Sequence, residues 1–441
     1  MPTHPSYIPI RIATLLQAMN IFDELRWRGM VYETTPDAEQ ALKTGKLTAY
    51  VGFDPTADSL HVGSLLPLMA LARLQRVGHT PIAIVGGGTG MIGDPSGKSQ
   101  ERLLLDREQI ERNVEGLRRQ IGRFLDFDAA DNAALMVNNL DWLGEIKVVD
   151  FLRDVGKYFT VNYMLSKESV KRRIGNEDGL SFTEFSYMLL QAYDFLVLYD
   201  RYGCKLQMGG SDQWGNILAG ADLIRRLRSD RVHGIVLPLV TTAGGTKFGK
   251  TEAGTVWLDP QRTSPYKFYQ FWLNTDDRDV ISYLRFFTWL TAEEVDGLQS
   301  VLDSEPAARA AQKRLAEEVT RIVHGDDSLQ KAIAASEVLF GGDVTRMGAE
   351  ELLEVFEDVP SASIPVVEFE NGGLDVVRLV ADAGLATSRS EARRLIRGGG
   401  ININSRRIED ESQSFGLEDA VDGKVFVLRR GQKTYRLVKV V

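Results

Sequence analysis

An α/β fold with a parallel sheet, followed by an all-helical domain and a small α+β tail, is what the sequence predicts, and three observations carry it. Residues 47–87 read as strand, helix, strand: an apolar run at 47–53, a helical pattern over about 62–77, then the nearly continuous apolar stretch TPIAIVGG at 80–87. That order is the one a parallel βαβ unit requires. From residue 263 the pattern turns helical, with aromatics spaced to bury one face in SPYKFYQFWLNTDDRDVISYLRFFTWL. From 374 it becomes short, mixed and basic.

The remaining elements follow in chain order. Helical periodicity occupies 10–29 and 35–47 ahead of the first strand. Residues 103–124, 147–156, 182–200 and 215–228 have the spacing of helices that cover sheet faces, and 134–138 and 205–209 are further strands. Residues 359–373, VPSASIPVVEFENGG, have linker composition, with two prolines, serines and a glycine pair. The predicted domains are 1–262, 263–350, a linker at 351–373, and 374–441.

Composition limits the function classes. A chain of 441 residues is too long for one core. Its net charge of −9 argues against nucleic acid as a partner of the whole surface. The charge is uneven, however. Residues 387–441 carry twelve Lys and Arg against seven Asp and Glu, a local +5, which leaves −14 on the rest. The single cysteine, Cys204, excludes an intrachain disulfide and suits a reducing compartment, and no histidine–cysteine cluster suggests a protein-bound metal. The N-terminus lacks a basic region followed by a long apolar run, so a soluble cytoplasmic protein is expected.

Polar groups directly after strands of a parallel sheet lie at its carboxyl edge, where ligands bind. YVGFDPTADSLHVGS at 50–64 places Asp54, Thr56, His61, Gly63 and Ser64 there. Asp58 or Ser59 is expected to cap a helix starting near Leu60, setting His61 at its first turn beside unpaired N–H groups that favour a phosphate chain. IVGGGTGMIGDPSGKS at 84–99 is not a phosphate loop, because Ile92 stands where glycine is needed before Gly97-Lys98-Ser99. Its glycines are expected to let the backbone approach a bound ligand beside Asp94.

MGGSDQWGN at 208–216 puts Gly210, Asp212 and Gln213 at another strand-to-helix junction, with an acceptor for ribose hydroxyls and a donor for a carboxylate. TKFGKTEAG at 246–254 carries Lys247 and Lys250 among glycines, cations suited to a triphosphate whose leaving pyrophosphate gains charge. In the helix at 182–200, Tyr187, Gln191 and Asp194 stand at i, i+4 and i+7 on one face, the pattern of a helix lining a polar pocket.

These segments together resemble the bacterial tyrosyl-tRNA synthetases, a class I aminoacyl-tRNA synthetase family, over essentially the whole chain. His61-Val62-Gly63-Ser64 resembles the class I His-Ile-Gly-His signature, and Lys247-Phe248-Gly249-Lys250-Thr251 the Lys-Met-Ser-Lys-Ser signature. The longer strings YVGFDPTADSLH, GDPSGK, SYMLLQAYDF and GGSDQWGN, in this order, make the resemblance specific.

The resemblance implies a Rossmann-like catalytic domain, a helical anticodon-side domain at 263–350, and an S4-like RNA-binding domain at the end. Its substrates would be L-tyrosine, Mg2+-bound ATP and tRNA(Tyr), in a homodimer, with no structural metal. Tyr50 and Asp194 would hold the phenolic hydroxyl; Asp94, Tyr187 and Gln191 the α-ammonium; and Gln213 the carboxylate. Asp212 would lie on the ribose, Thr56 and His61 at the γ-phosphate, and Gly52, Asp54, Gly63, Ser64 and Gly210 along the nucleotide. Lys98, Arg102, Lys247 and Lys250 would close on pyrophosphate.

Two positions depart from the pattern. Ser64 replaces the second signature histidine, which predicts a weaker ATP contact, and Val51 offers no side-chain hydrogen bond to the ribose. In the tail, Ser388 and Glu391 read as a capping box for a helix ended by Gly398-Gly399-Gly400. Arg389, Arg393, Arg394 and Arg397 would present a positive face to RNA phosphates. A tryptophanyl-tRNA synthetase shares the sheet and signatures, but Tyr50 with Asp194 and the tail favour tyrosine. A small-molecule adenylyltransferase would not need the two later domains, and a protein that only binds RNA would not need a near-complete adenylate site.

Overall fold

The structure is a computed structural model and describes residues 19–96, 105–174, 179–245, 248–251, 254–339, 342–344, 347–357, 359–370, 372–431 and 434–441. By contact density the chain forms two compact units, residues 1–263 with 275–315, and residues 264–274 with 316–441.

The first unit is built on a sheet of β1 (Glu33–Thr34), β2 (Thr48–Phe53), β3 (Thr80–Val85), β4 (Leu135–Asn138), β5 (Cys204–Gly210) and β6 (His233–Leu237) in the order β1-β6-β5-β2-β3-β4. Strands β2 to β6 are parallel and β1 pairs antiparallel with β6. From β2 the chain winds outward through β3 and β4, then crosses back to place β5 on the other side of β2. The order therefore reverses between β2 and β5, which opens a crevice at their carboxyl ends.

The helices of this unit begin with α1 (Ile21–Trp27), α2 (Ala38–Thr44), α3 (Leu65–Arg76) and α4 (Arg107–Ile121). Four short ones follow, α5 (Leu140–Leu143), α6 (Val148–Asp154), α7 (Val161–Leu165) and α8 (Glu168–Ile174). Next come α9 (Phe182–Tyr202) and α10 (Trp214–Arg228), then a two-stranded hairpin of β7 (Lys250–Thr251) and β8 (Gly254–Thr255).

The caps explain several boundaries. Asn20 accepts from Asp23 N–H to start α1, and Asp106 accepts from Gln109 N–H to start α4. Ser181 caps α9, whose end is closed by Gly203 in the left-handed region. The expected cap by Asp58 or Ser59 does not form. Ser59 Oγ turns back to Leu60 O at 2.8 Å and Asp58 pairs with Arg262 at 2.6 Å. A 3-10 turn over Val62–Ser64 leads into α3 instead, with no side-chain cap.

After the hairpin the chain continues through α11 (Pro265–Leu273), α12 (Asp277–Phe287), α13 (Ala292–Ser304), α14 (Ala310–His324), α15 (Asp326–Leu339) and α16 (Ala349–Val355). The division into units cuts this helical stretch: α12 and α13 belong to the first, α11, α15 and α16 to the second, and the boundary falls inside α14.

In the second unit, α11 packs on α15, and Phe268 of α11 lies edge-on to His324 at the end of α14 at 4.7 Å. Its sheet runs β12 (Arg406–Ile408), β11 (Ile401–Ile403), β14 (Val425–Arg430), β15 (Thr434–Val440) and β9 (Ser361–Ile364). Two helices, α17 (Val376–Asp382) and α18 (Arg389–Arg397), share its core through Val380, Ala392, Ile396 and Phe426. The expected linker is corrected here. Residues 361–364 form an edge strand parallel to β15, and Phe369 stacks on Phe426 at 5.3 Å. The prolines flank this strand without interrupting its hydrogen bonds.

Candidate active site

The crevice between β2 and β5 gathers the residues that the strand-end argument singled out. Tyr50 lies in β2, 2% exposed, with Phe195 of α9 edge-on to its ring at 5.2 Å. Its hydroxyl is buried without a hydrogen-bond partner among the described residues. Burial, and then the charge of Asp194, push the Tyr50 phenol well above its ordinary range, so it stays protonated. Leaving such a group unpaired costs about 1–3 kcal/mol, which a ligand hydroxyl would recover.

Asp194 accepts from Asn139 Nδ2 at 2.9 Å and from Trp142 Nε1 at 2.7 Å. Burial raises its carboxyl to about 7, with those two donors pulling the other way. A third acceptor direction remains to a carboxylate that already takes two bonds.

One turn and two turns earlier on the same face stand Gln191 and Tyr187. Tyr187 Oη donates to Asp54 Oδ2 at 2.8 Å, and Thr89 Oγ1 donates to Asp54 Oδ1, also at 2.8 Å. Asn139 Nδ2 donates in turn to Thr89 Oγ1 at 2.9 Å. A continuous hydrogen-bonded wall thus runs from Tyr187 through Asp54, Thr89 and Asn139 to Asp194. Asp54, expected on the nucleotide side, accepts at both oxygens within this wall.

A second chain closes the opposite side. Asn216 Nδ2 donates to Gln191 Oε1 at 2.9 Å and to Gln213 Oε1 at 3.3 Å, while Gln213 Nε2 donates to Asp94 Oδ2 at 2.7 Å. Asp94 also receives Ser96 N–H at 2.9 Å and is 6% exposed. Acceptors of Asp94, Gln191 and Asp54 therefore line one end of the crevice, and Tyr50 with Asp194 the other.

The glycine-rich turn is crowded by neighbouring side chains. A Cβ on Gly86 would lie 2.2 Å from Asp54 Oδ1, and one on Gly87 2.2 Å from Asn138 Oδ1. These glycines make room for the side chains of Asp54 and Asn138. At Gly52 a Cβ would meet nothing within 4 Å.

The residues expected on the nucleotide side lie after β2 and at the end of β5. Thr56 is exposed, and the His61 ring lies against Gly63, where a Cβ would approach its Cε1 to 2.7 Å. Half-buried Ser64 gives its N–H to His61 O at 2.8 Å. A Cβ on Gly210 would lie 2.5 Å from Asp212 Oδ1, so this glycine gives the Asp212 carboxylate its room. Val62 N–H donates to Val256 O at 3.1 Å and Leu258 N–H to Leu60 O at 2.8 Å, tying the His61 turn to the segment after the hairpin. Lys98, Arg102 and Lys247 lie outside the described residues, as does the side chain of Lys250.

Thr89, Asn139, Trp142, Asn216 and Gln207 were not anticipated. Gln207 pairs with Tyr50 in the sheet register and has a buried Oε1 without a hydrogen-bond partner among the described residues. Asn138-Asn139 at the end of β4 carried the same strand-end signal as Asp54 and could have been found by it. On α18, Arg389, Arg393, Arg394 and Arg397 are all exposed, and Arg397 is held by Glu411 at 2.7 Å. Ser388 caps α18 as expected, but Glu391 reaches back to Thr387 N–H at 2.8 Å. Among the described residues no group of three or more His, Cys, Asp or Glu gathers as a metal site, and no helix is long and apolar enough to cross a membrane.

A parallel sheet whose ligand crevice is flanked by the His61 turn and the Phe248-Gly249 segment defines the class I aminoacyl-tRNA synthetase architecture. Residues 42–341 match the family model of class I tRNA synthetases (W and Y), and residues 351–438 match the tyrosine–tRNA ligase SYY-like C-terminal domain. The chain is 56% identical over 421 residues to the tyrosine–tRNA ligase of Roseiflexus castenholzii, covering 96% of this chain and 99% of that protein. It is 52% identical over 424 residues to that of Bacillus caldotenax, covering 96% and 100%. Among solved structures, a C-terminally truncated Aspergillus nidulans mitochondrial tyrosyl-tRNA synthetase aligns with a TM-score of 0.67 at 29% identity, over 73% of this chain and 95% of that one. The chain belongs to the tyrosine–tRNA ligase family of ATP-dependent aminoacyl-tRNA synthetases.

Proposed function

We propose that this tyrosine–tRNA ligase works in two steps within the β2–β5 crevice. The carboxylate of L-tyrosine attacks the α-phosphorus of Mg-ATP in line, the bond to the bridging oxygen breaks, and pyrophosphate leaves. The terminal adenosine hydroxyl of tRNA(Tyr) then attacks the carbonyl of tyrosyl-adenylate and AMP leaves. The observation that carries the amino-acid side is the buried, unpartnered Tyr50 hydroxyl beside Asp194.

In this reading the substrate phenol donates to Asp194 and accepts from Tyr50. Asp94, Tyr187 and Gln191 surround the α-ammonium, and Gln213 lies beside the carboxylate. Asp212 meets the ribose, and Gly52, Gly63, Ser64 and Gly210 border the nucleotide. No protein nucleophile is needed. Thr56, His61, Lys98, Arg102, Lys247 and Lys250 act through contacts that strengthen as charge moves onto pyrophosphate, so they raise rate more than tyrosine binding. Magnesium belongs to the Mg-ATP substrate, where phosphate oxygens and waters are its usual ligands.

Arg389, Arg393 and Arg394 would lie along RNA phosphates, while Arg397 must first leave Glu411. A homodimer is part of the reading. Val148, Val149, Leu152, Val161, Leu165, Ile174 and Phe182 are exposed apolar residues on consecutive elements from α6 to α9, the kind of surface a second copy covers. A cytoplasmic site of action fits the lone reduced cysteine, Cys204.

Amino-acid-dependent ATP–pyrophosphate exchange with each of the twenty amino acids tests this reading. Exchange with tyrosine alone is expected. Exchange with tryptophan would overturn the pocket assignment, and none with any amino acid would leave only an RNA-binding protein.

A further inference from the structure

A buried polar cluster lies outside the substrate crevice. Glu24 of α1, Arg28 just past its end and Arg73 of α3 meet in the interior, with the two arginine side chains 5% and 2% exposed. Both guanidinium groups donate to the same Glu24 Oε1, at 2.8 and 3.1 Å. Two cations on one carboxylate leave an unbalanced positive charge, which is costly in an interior.

The balance comes from the carboxyl end of α12. Arg28 Nη1 and Nη2 donate to Arg285 O and Leu290 O, each at 3.0 Å, and Arg73 Nη2 donates to Thr288 O. Carbonyls at a helix end carry its negative pole. Trp289, which follows, lies against the guanidinium groups of Arg73 and Arg76 at 4.7 and 3.8 Å. The cluster therefore staples α3 to α12.

What these two helices carry gives the staple its consequence. Directly before α3 runs the His61–Ser64 turn. On α12, Tyr283 and Phe287 seat the Phe248 ring, the first edge-on at 5.0 Å and the second stacked at 5.5 Å. Phe248 is 4% exposed. The next residue, Gly249, has φ +78, and a Cβ there would fall 2.5 Å from Val62 Cγ2. Its carbonyl accepts from Val256 N–H at 2.9 Å. The Phe248-Gly249 backbone is thus wedged between the turn before α3 and the rings of α12.

We propose that Arg73, with Arg28 and Glu24, is a positioning residue for adenylate formation: by tying the carboxyl end of α12 to α3, it sets the seat of Phe248 and so the distance from Gly249-Lys250 to the His61–Ser64 turn. The inference rests on the reading in which Lys250 meets pyrophosphate. Two forked guanidinium groups on three carbonyls fix direction as well as distance, which a lysine's point charge does not.

The test compares full-length Arg73→Lys, Phe248→Leu, their double variant and Lys250→Ala. The readouts are the stopped-flow activation rate constant per titrated active site and the equilibrium tyrosine affinity. Arg73→Lys and Phe248→Leu should each slow activation on the order of tenfold and leave tyrosine affinity within about twofold. The double variant should lose no more than the worse single one, because both act through one seat. Slow activation in Lys250→Ala with wild-type activation in the other two overturns the positioning role and leaves the loop reading standing. Unchanged activation in Lys250→Ala overturns the loop reading and this inference with it. An equal loss of tyrosine affinity, or fewer titratable sites with a normal rate constant, would show Arg73 to be structural only. If Arg73→Lys does not fold, Phe248→Leu and Trp289→Leu carry the same comparison without touching the buried charges.

Discussion

The two ends of the crevice are built on opposite plans. At the proposed amino-acid end, Tyr187, Asp54, Thr89, Asn139 and Asp194 form one hydrogen-bonded wall, and the buried Tyr50 hydroxyl has no partner among the described residues. At the nucleotide end the side chains are exposed or half-buried, Gly52 faces open space, and order comes from backbone bonds between the His61 turn and residues 256–258. In the proposed reading, a rigid, desolvated wall makes a missing hydroxyl expensive, so that end would select. In the same reading, an open edge can meet its substrate most strongly while charge moves, so the other end would accelerate.

The sharpest way to break this comparison is Asp194→Ala. Enzymes of this type reject phenylalanine by ~10⁵ without editing, a figure that belongs to them and is not a measurement on this chain. Removing Asp194 should cut the tyrosine-over-phenylalanine ratio of kcat/KM on the order of 10²-fold or more. An unchanged ratio in pyrophosphate exchange refutes the selecting wall.

His61→Ala tests the other end. Activation should slow on the order of 10²-fold with tyrosine affinity held within about twofold. Loss of both together, read by stopped-flow and equilibrium titration, would erase the division of labour.

A smaller effect is expected at Asn139, which touches the selecting group and not the substrate. Asn139→Ala should lower tyrosine kcat/KM about tenfold and move its pH dependence upward, because the lost donor favoured the charged Asp194. The wild-type profile supplies the reference. With its carboxyl raised to about 7, Asp194 is neutral in the empty pocket at lower pH. Tyrosine affinity should therefore fall severalfold as pH drops through about 7, and a flat profile from pH 5.5 to 8.5 would count against it. The same shift has a stability consequence of fixed sign. The native state keeps a proton that the unfolded chain releases near pH 4, so the stabilisation is complete below about 4 and is lost as pH rises through about 7. The least change is expected from Arg393→Ala with Arg394→Ala. The KM for tRNA should rise a few-fold, with a shallower salt dependence and unchanged pyrophosphate exchange. An unaltered salt slope would remove these arginines from the RNA face.

Legibility followed the range of the interactions. Strands β2 and β3 and helix α9 carry their period over several residues and were read correctly. The two-residue β1 has no period to read, and the short run of β6 was passed over. The supposed linker was misread because two prolines and a glycine pair are local signals. Its true partner, β15, lies more than seventy residues away. At the site, the i, i+4, i+7 face of α9 was visible, but Asn139 and Trp142 were not, since no local pattern couples them to Asp194 across 55 and 52 residues.

The amino-acid sequence alone determined which chemistry stands at each strand end, which helix face is polar, and that the tail is basic, because backbone periodicity and formal charge are local properties. Only the tertiary structure decided the partners. The resemblance implies Asp54 along the nucleotide, and the fold gives its carboxylate two donors, Thr89, 35 residues on, and Tyr187, 133 residues on. Which donor meets a buried acceptor depends on how the sheet crosses over, and burial then makes the pairing obligatory.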